Sequence, residues 1–256
     1  MSERYRRCRG ARPVPHAAAL LAAAGAAAVA VAGCSSSGAG AAGSGAAASA
    51  STTSSAGMAA AGIPASFTAA QLRGALLTKV NGQQPAATPE AGAFSKLPDA
   101  QTGKQSMRGV TVTPASCAQA TVTGFNSAAF ANAPASVVTF RVGQDGVSEV
   151  IVATSPTTAA EALATELPPG CAHYRATVAG RTFTYSVKEV PVSGVAQQAR
   201  ALNVKAEGYA GVNMWSVVFR ANGYVGAVTI LGPDASEQGA KVLAADAYAR
   251  AAESLH

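Results

Sequence analysis

Val212-Asn213-Met214-Trp215-Ser216-Val217-Val218-Phe219-Arg220, then Ala221-Asn222-Gly223, then Tyr224-Val225-Gly226-Ala227-Val228-Thr229-Ile230-Leu231, is the stretch on which the fold turns. Two runs rich in β-branched residues flank an Asn-Gly turn, the strongest short-range signal for a β-hairpin. Behind it, Ala235 to Ser254 has helical spacing, with Asp234 or Ser236 placed to cap it. Val242, Leu243, Tyr248 and Leu255 are available to pack that helix on the sheet.

Further strands lie upstream. Ala176-Thr177-Val178 and Thr182 to Val187 flank Gly180, while Leu202, Val204 and Ala206 alternate with polar neighbours. Ser136 to Val142 and Val147 to Ala153 flank Gly143-Gln144-Asp145-Gly146, a second hairpin. Thr157 to Leu167 is expected to be helical, started by Pro156 and stopped by Pro168-Pro169-Gly170. Pro114 to about Gly124 reads as a short helix carrying Cys117, and Asn81 to about Gly109 as a long Pro/Gly/Gln-rich loop. Leu72, Ala75, Leu76 and Lys79 share a face of a first helix capped by Ser66 or Thr68. The expected fold is α+β: an antiparallel sheet of about six strands with N- and C-terminal helices packed on it.

Residues 1–62 do not belong to that core. The chain has 256 residues, of which 49% are hydrophobic but only 5% aromatic, so much of the apolar fraction is alanine. Arg4, Arg6, Arg7, Arg9 and Arg12 precede the uncharged run from Ala17 to Ala32, the order of an export signal. Val31-Ala32-Gly33-Cys34 closes that run and resembles the lipobox of bacterial lipoproteins, in which small residues let a peptidase reach the bond before a diacylglycerylated cysteine. Residues 1–33 are therefore expected to be a lipoprotein signal peptide, with Cys34 the lipid attachment site. The alternatives are a secretory signal cleaved elsewhere and a retained signal anchor. Residues 34–62, almost all Ala/Gly/Ser/Thr and without charge, read as a disordered tether after the lipidated Cys34, because so little apolar surface cannot offset the entropy of ordering. The G-x-G-x-x-G match at Gly38 to Gly43 has no strand before it and no acid after it, so no dinucleotide site is implied. Residues 63–256 form the folded domain.

Without the signal the net charge falls from +6 to +2, with 14 Lys+Arg against 12 Asp+Glu. The remaining basic residues are scattered singly from Arg73 to Arg250, which excludes the basic stripe of a nucleic-acid binder. Cys117 and Cys171 remain as one pair, expected to form a disulfide in an oxidising compartment, with two buried free thiols as the alternative. With His173 the only imidazole nearby, they match no zinc module, so neither metal nor cofactor is expected.

No catalytic constellation emerges. A serine or cysteine nucleophile needs a histidine base and an orienting acid, yet only His173 and the terminal His256 follow the signal. Glu161 and Glu166 stand five apart on a helix, which separates them. Lys104 precedes Gln105 where a P-loop needs Ser or Thr. Trp215 and Tyr224 mark a candidate ligand pocket near the terminal hairpin, with Tyr209, Phe183 and Tyr185 nearby; ordinary packing is the competing reading.

Phe67-Thr68-Ala69-Ala70-Gln71-Leu72-Arg73-Gly74-Ala75-Leu76-Leu77, then Cys117 and Cys171 with a hairpin and a helix between them, then the Asn213-to-Ile230 hairpin and the helix behind it, carry a resemblance. Over roughly residues 63–256 the chain resembles exported lipoproteins of high-GC Gram-positive bacteria similar to the PknH-like extracellular sensor domain. The resemblance implies an α+β fold with a cleft between sheet and helices, and a role in ligand sensing or binding. Some members have a second disulfide and a kinase across the membrane; this sequence shows neither, and signalling to a kinase is not carried over. The expectation is a lipoprotein held by its lipid on the extracytoplasmic face of the cell membrane, with a non-catalytic ligand-binding or sensor domain. Its partners would be the membrane, through that anchor, and a small-molecule, lipid or envelope ligand, with no nucleic acid. An envelope hydrolase with an unrecognised site and a passive structural surface lipoprotein are the alternatives.

Overall fold

The computed structural model describes residues 67–119, 128–208 and 212–255. Strands β3 (Pro134–Val142) and β4 (Asp145–Ala153) form one hairpin, and β5 (His173–Val178), β6 (Arg181–Val192), β7 (Gln198–Ala206), β8 (Asn213–Ala221) and β9 (Tyr224–Leu231) form a meander. With β1 (Glu90–Ala93) and β2 (Thr111–Thr113) they make a nine-stranded sheet in the order β1-β3-β4-β9-β8-β7-β6-β5-β2, every pair antiparallel. The hairpin and the meander meet where β4 runs beside β9, from Gly146 opposite Leu231 to Ala153 opposite Tyr224. The expectation of about six strands thus falls short. The missing strands include the edges: Glu90-Ala91-Gly92-Ala93 has no β-branched residue, and Thr111-Val112-Thr113 is too short to display alternation.

Helix α1 (Ala69–Ala75) is started by a reciprocal capping box, in which Thr68 Oγ1 accepts from the Gln71 N–H and Gln71 Oε1 accepts from the Thr68 N–H. Of the two expected caps Thr68 is the one used, and Lys79 lies beyond the helix and exposed rather than on its packing face. The segment read as a long loop contains β1, a 3₁₀ turn at Phe94–Lys96 and helix α2 (Pro98–Ser106). Pro98 at the first turn, where no N–H is required, starts α2 and was hidden in a composition that looks like loop. Cys117 sits on a 3₁₀ turn, Ala115–Gln119; the rest of the helix expected there lies outside the described residues. Ser155 caps α3 (Pro156–Ala164) and Ser236 caps α4 (Glu237–Ser254).

Successive side chains on a strand alternate between faces, and the helices divide accordingly. On one face α1 and α4 cover Val138, Phe140, Ile151, Val217, Phe219 and Val228. On the other, α3 and the Phe94-to-Ala100 segment cover Val137, Val150, Val152, Val218, Val225 and Ala227. Toward β5 and β6 a third cluster gathers Tyr174, Tyr185, Val187 and Val204 around Cys117 and Cys171. Helix α4 approaches through Ala240, Ala244, Ala247 and Ala251, all fully buried. Val242, expected on that face, points outward, because small side chains at these spacings allow the closer contact.

One close approach fixes the middle of the sheet. Phe219 stands opposite Gly226, and a Cβ added at 226 would fall 2.6 Å from Phe219 Cε2. Gly226→Ala should lower unfolding stability by about 1–3 kcal/mol, as overpacking does. Gly74→Ala, with nothing within 4 Å of the new methyl, should raise it by about 0.5–1 kcal/mol. Urea denaturation of the two variants checks the contrast, and equal effects would contradict the Phe219 contact.

Candidate functional site

Cys34 and Tyr209 lie outside the described residues. Cys117 and Cys171, 54 residues apart in sequence, are joined in a disulfide. In the chain-entropy account a loop of that size stabilises the fold by about 4 kcal/mol. His173 is largely exposed and its Nδ1 lies 3.2 Å from Glu207 Oε1, a surface pair. Trp215 and Tyr224 both face α4 but stand at opposite ends of the terminal hairpin: Trp215 pairs with Ile230, Tyr224 with Ala221. Trp215 is half-buried, whereas Tyr224 is buried with Phe67 edge-on at 6.2 Å. Phe183 and Tyr185 belong to the cluster around the disulfide, where Tyr185 stacks on Tyr174 at 5.2 Å. The structure therefore does not gather these aromatics at one place.

It gathers another set instead. Glu149, in the middle of β4, is completely buried on the face covered by α1 and α4. Its Oε2 accepts the Leu77 N–H at 2.7 Å, just beyond the end of α1, while its Oε1 makes no hydrogen bond within the protein. From α4, Arg250 donates through Nη2 to Gly74 O at 3.2 Å, and its buried Nε is likewise unpaired. From β9, Tyr224 brings a buried hydroxyl with no partner. Burial raises the Glu149 carboxyl to about 8, against the lowering effects of the Leu77 N–H and the Arg250 charge. Burial also raises the Tyr224 phenol, assisted by Tyr248 and Glu149. A carboxyl, a guanidinium and a phenol from three elements, each with an unused buried polar atom, form a polar knot in an apolar interface. Sequence parity contained the clue, since Glu149 alternates in phase with Val147 and Ile151.

A surface groove of about 400 Å³ runs between the β6–β7 connection and the first half of α4. Pro191, Val195, Val242 and Ala245 give it an apolar lining; Ser193, Gln238 and Lys241 supply polar groups. Val242 is nearly half exposed there, and Lys241 Nζ is held by Glu237 Oε1 at 2.7 Å. The β6–β7 connection is shaped by two left-handed residues, Gly194 at φ +79° and Ala196 at φ +56°. A non-glycine residue held there is strained, and such strain persists only where surroundings impose it. Neither Trp215 nor Tyr224 lines the groove.

No protein-family model matches the chain, and no curated protein matches it. Among solved structures, it is similar to the extracellular domain of PknH from Mycobacterium tuberculosis, with a TM-score of 0.54 and 16% identity over 73% of this chain and 97% of that one. An uncharacterized protein from Mycobacterium smegmatis, the Rv0999 ortholog, aligns over 64% of this chain and 85% of its own with 17% identity and a TM-score of 0.38. The first likeness shows a shared fold.

The raised Glu149 carboxyl gives a signed pH dependence. Unfolded, the group ionises near its ordinary 4.5, whereas the native state keeps the proton to about 8. Between those values the native state binds a proton that the unfolded chain has released. The resulting stability is complete below the unfolded value, declines as pH rises and is gone above the native one, with a slope of at most about 1.4 kcal/mol per pH unit. Burial raises Glu90, Asp99 and Asp145 in the same direction. Denaturation between pH 5 and 8 should show the decline in the native chain and most of it removed in Glu149→Gln, and a slope unchanged by the substitution would contradict it.

Proposed function

We propose that this chain is an exported lipoprotein anchored through Cys34 on the extracytoplasmic face of the cell membrane, and that its domain is a non-catalytic ligand-binding or sensor module. The observation that carries the reading is the likeness of its fold to an extracellular domain over 97% of that domain's length. An export signal ahead of the fold and a disulfide within it agree with an oxidising compartment outside the membrane. With about 28 tether residues at about 5–6 Å × √n, the domain would stand roughly 30 Å from its lipid.

The groove beside α4 is the proposed ligand entrance. Its volume falls in the range of small-molecule sites, and its open lining is evenly shared between apolar and polar groups. Trp215 is the natural reporter, because the sequence contains a single tryptophan and its indole is packed against the core under α4. A ligand that shifts α4 changes the environment of that ring.

Two outcomes test the proposal. Cys34→Ala should leave the precursor unprocessed or release the protein into the medium, with loss from the detergent phase on phase partitioning; unchanged partitioning would refute the anchor. Titrating the domain with a lipid extract of its own envelope should shift or quench Trp215 emission, and Val242→Asp should weaken that response by tenfold or more without unfolding the protein. Turnover of an envelope substrate by the purified domain would favour the hydrolase alternative, and no response to any extract the passive one.

A further inference from the structure

Glu149 is placed where a proton changes what holds the first helix. Helix α1 has seven residues, fewer than an isolated helix needs to be stable in water, so it depends on docking. Its attachments include the burial of Leu72, Ala75 and Leu76 and the edge of Phe67 on Tyr224, with two polar ties, the Leu77 N–H on Glu149 and Gly74 O on Arg250. The two polar ones end at the same knot.

We propose that Glu149, Arg250 and Tyr224 form a proton-binding clamp that holds α1 on the sheet while the carboxyl is neutral and loosens it when the carboxyl ionises. The groups around Glu149 define what ionisation does. Helix α4 contributes Arg250, with Tyr248 acting on Tyr224; β9 contributes Tyr224; its cross-strand partner on β3 is Val138, and on β9 Val228. From α1 and its continuation comes only the Leu77 N–H, since Arg73 and Lys79 are exposed. Among the described residues no second carboxylate is seen to act on it.

A neutral carboxyl costs this site less than a carboxylate, because one oxygen accepts from Leu77 and no net charge is buried. An ionised carboxylate in the same place is a buried charge and requires either water or a cation. Water enters by the lifting of α1 from above the site. The nearby cation is Arg250, which holds Gly74 O through Nη2 and leaves Nε unpaired; a swing that carried Nε onto the carboxylate would draw Nη2 away from Gly74 O. Each route removes a tie on the C-terminal end of α1. Because α1 directly follows the segment read as a tether, loosening it would lengthen the lead between anchor and sheet. The clamp itself does not depend on the lipid reading.

Hydrogen exchange of the full mature chain, corrected for the intrinsic pH dependence of exchange, tests the clamp. Between pH 7 and 9.5, protection of residues 67–77 should fall by about tenfold or more, while that of the β8–β9 hairpin holds. In Glu149→Gln the fall should disappear and α1 should stay protected throughout. Protection of α1 that does not change with pH, or the same fall in Glu149→Gln, would overturn the proposal. Should that variant not fold, carboxyl carbon NMR of the native protein decides: a Glu149 titration midpoint above 7 that coincides with α1 loosening supports the clamp, and a midpoint below 5 refutes it.

Discussion

Strands β4, β9 and β8 are buried on both faces, and the rest of the molecule serves that constraint. A sheet strand with one solvated face can alternate apolar and polar residues; one covered on both sides must be apolar nearly throughout. Val217, Val218, Phe219, Val225, Ala227 and Val228 meet that demand, and the hydroxyls of Ser216 and Thr229 meet it by bonding each other at 3.0 Å. The coverage comes from opposite directions, α1 and α4 on one face and α3 with the Phe94-to-Ala100 segment on the other. A helix with an alanine stripe can lie close to such a sheet, which is why α4 shows few large residues on its buried side.

Glu149 is the exception on which chemistry depends. Val147, Val150, Ile151 and Val152 on β4 obey the both-faces rule, and a carboxyl among them is tolerated because burial pushes it up to about 8 and so keeps it protonated at neutral pH and below. In an apolar interface the protonation state of one group decides whether the interface is compatible with its own composition. Binding at the groove, by contrast, would depend on shape and apolar lining at the surface. The two features share α4, which contributes Arg250 to one and Lys241, Val242 and Ala245 to the other.

Much of the architecture was legible in the residues. The Asn-Gly turn announced β8 and β9, the run from Val147 to Ala153 announced β4, and Pro156 announced the start of α3, which ends at Ala164, short of the expected Leu167. The pairing of Cys117 with Cys171 followed from counting. What escaped detection was short or locally ambiguous: β1 and β2 owe their strand state to a neighbour's ladder rather than to their own propensity. Helix α2 hid in a polar stretch whose starting proline also reads as a loop residue. The aromatic residues misled as a group, since sequence proximity on a hairpin says nothing about which end of it each side chain occupies. The polar knot needed tertiary structure, because Arg250 and Leu77 are far from Glu149 in sequence and meet it only after α1 and α4 have packed.

The two edge strands are near neighbours in sequence yet sit at opposite limits of the sheet, eight strand spacings apart. At about 4.8 Å each the flat separation is about 38 Å. The connecting residues 94–110 reach about 36 Å, counting α2 at about 1.5 Å per residue, the 3₁₀ turn at about 2.0 Å and the remainder at about 3.3 Å. The segment is thus no longer than the flat separation, and shorter still where Met107 to Gly109 turn, so the twist of a sheet of this width is what brings the two edges within its reach. The segment therefore gives the hairpin and the meander a second connection besides the β4–β9 ladder, so that the two halves of the sheet are tied at their far edges as well as at their seam.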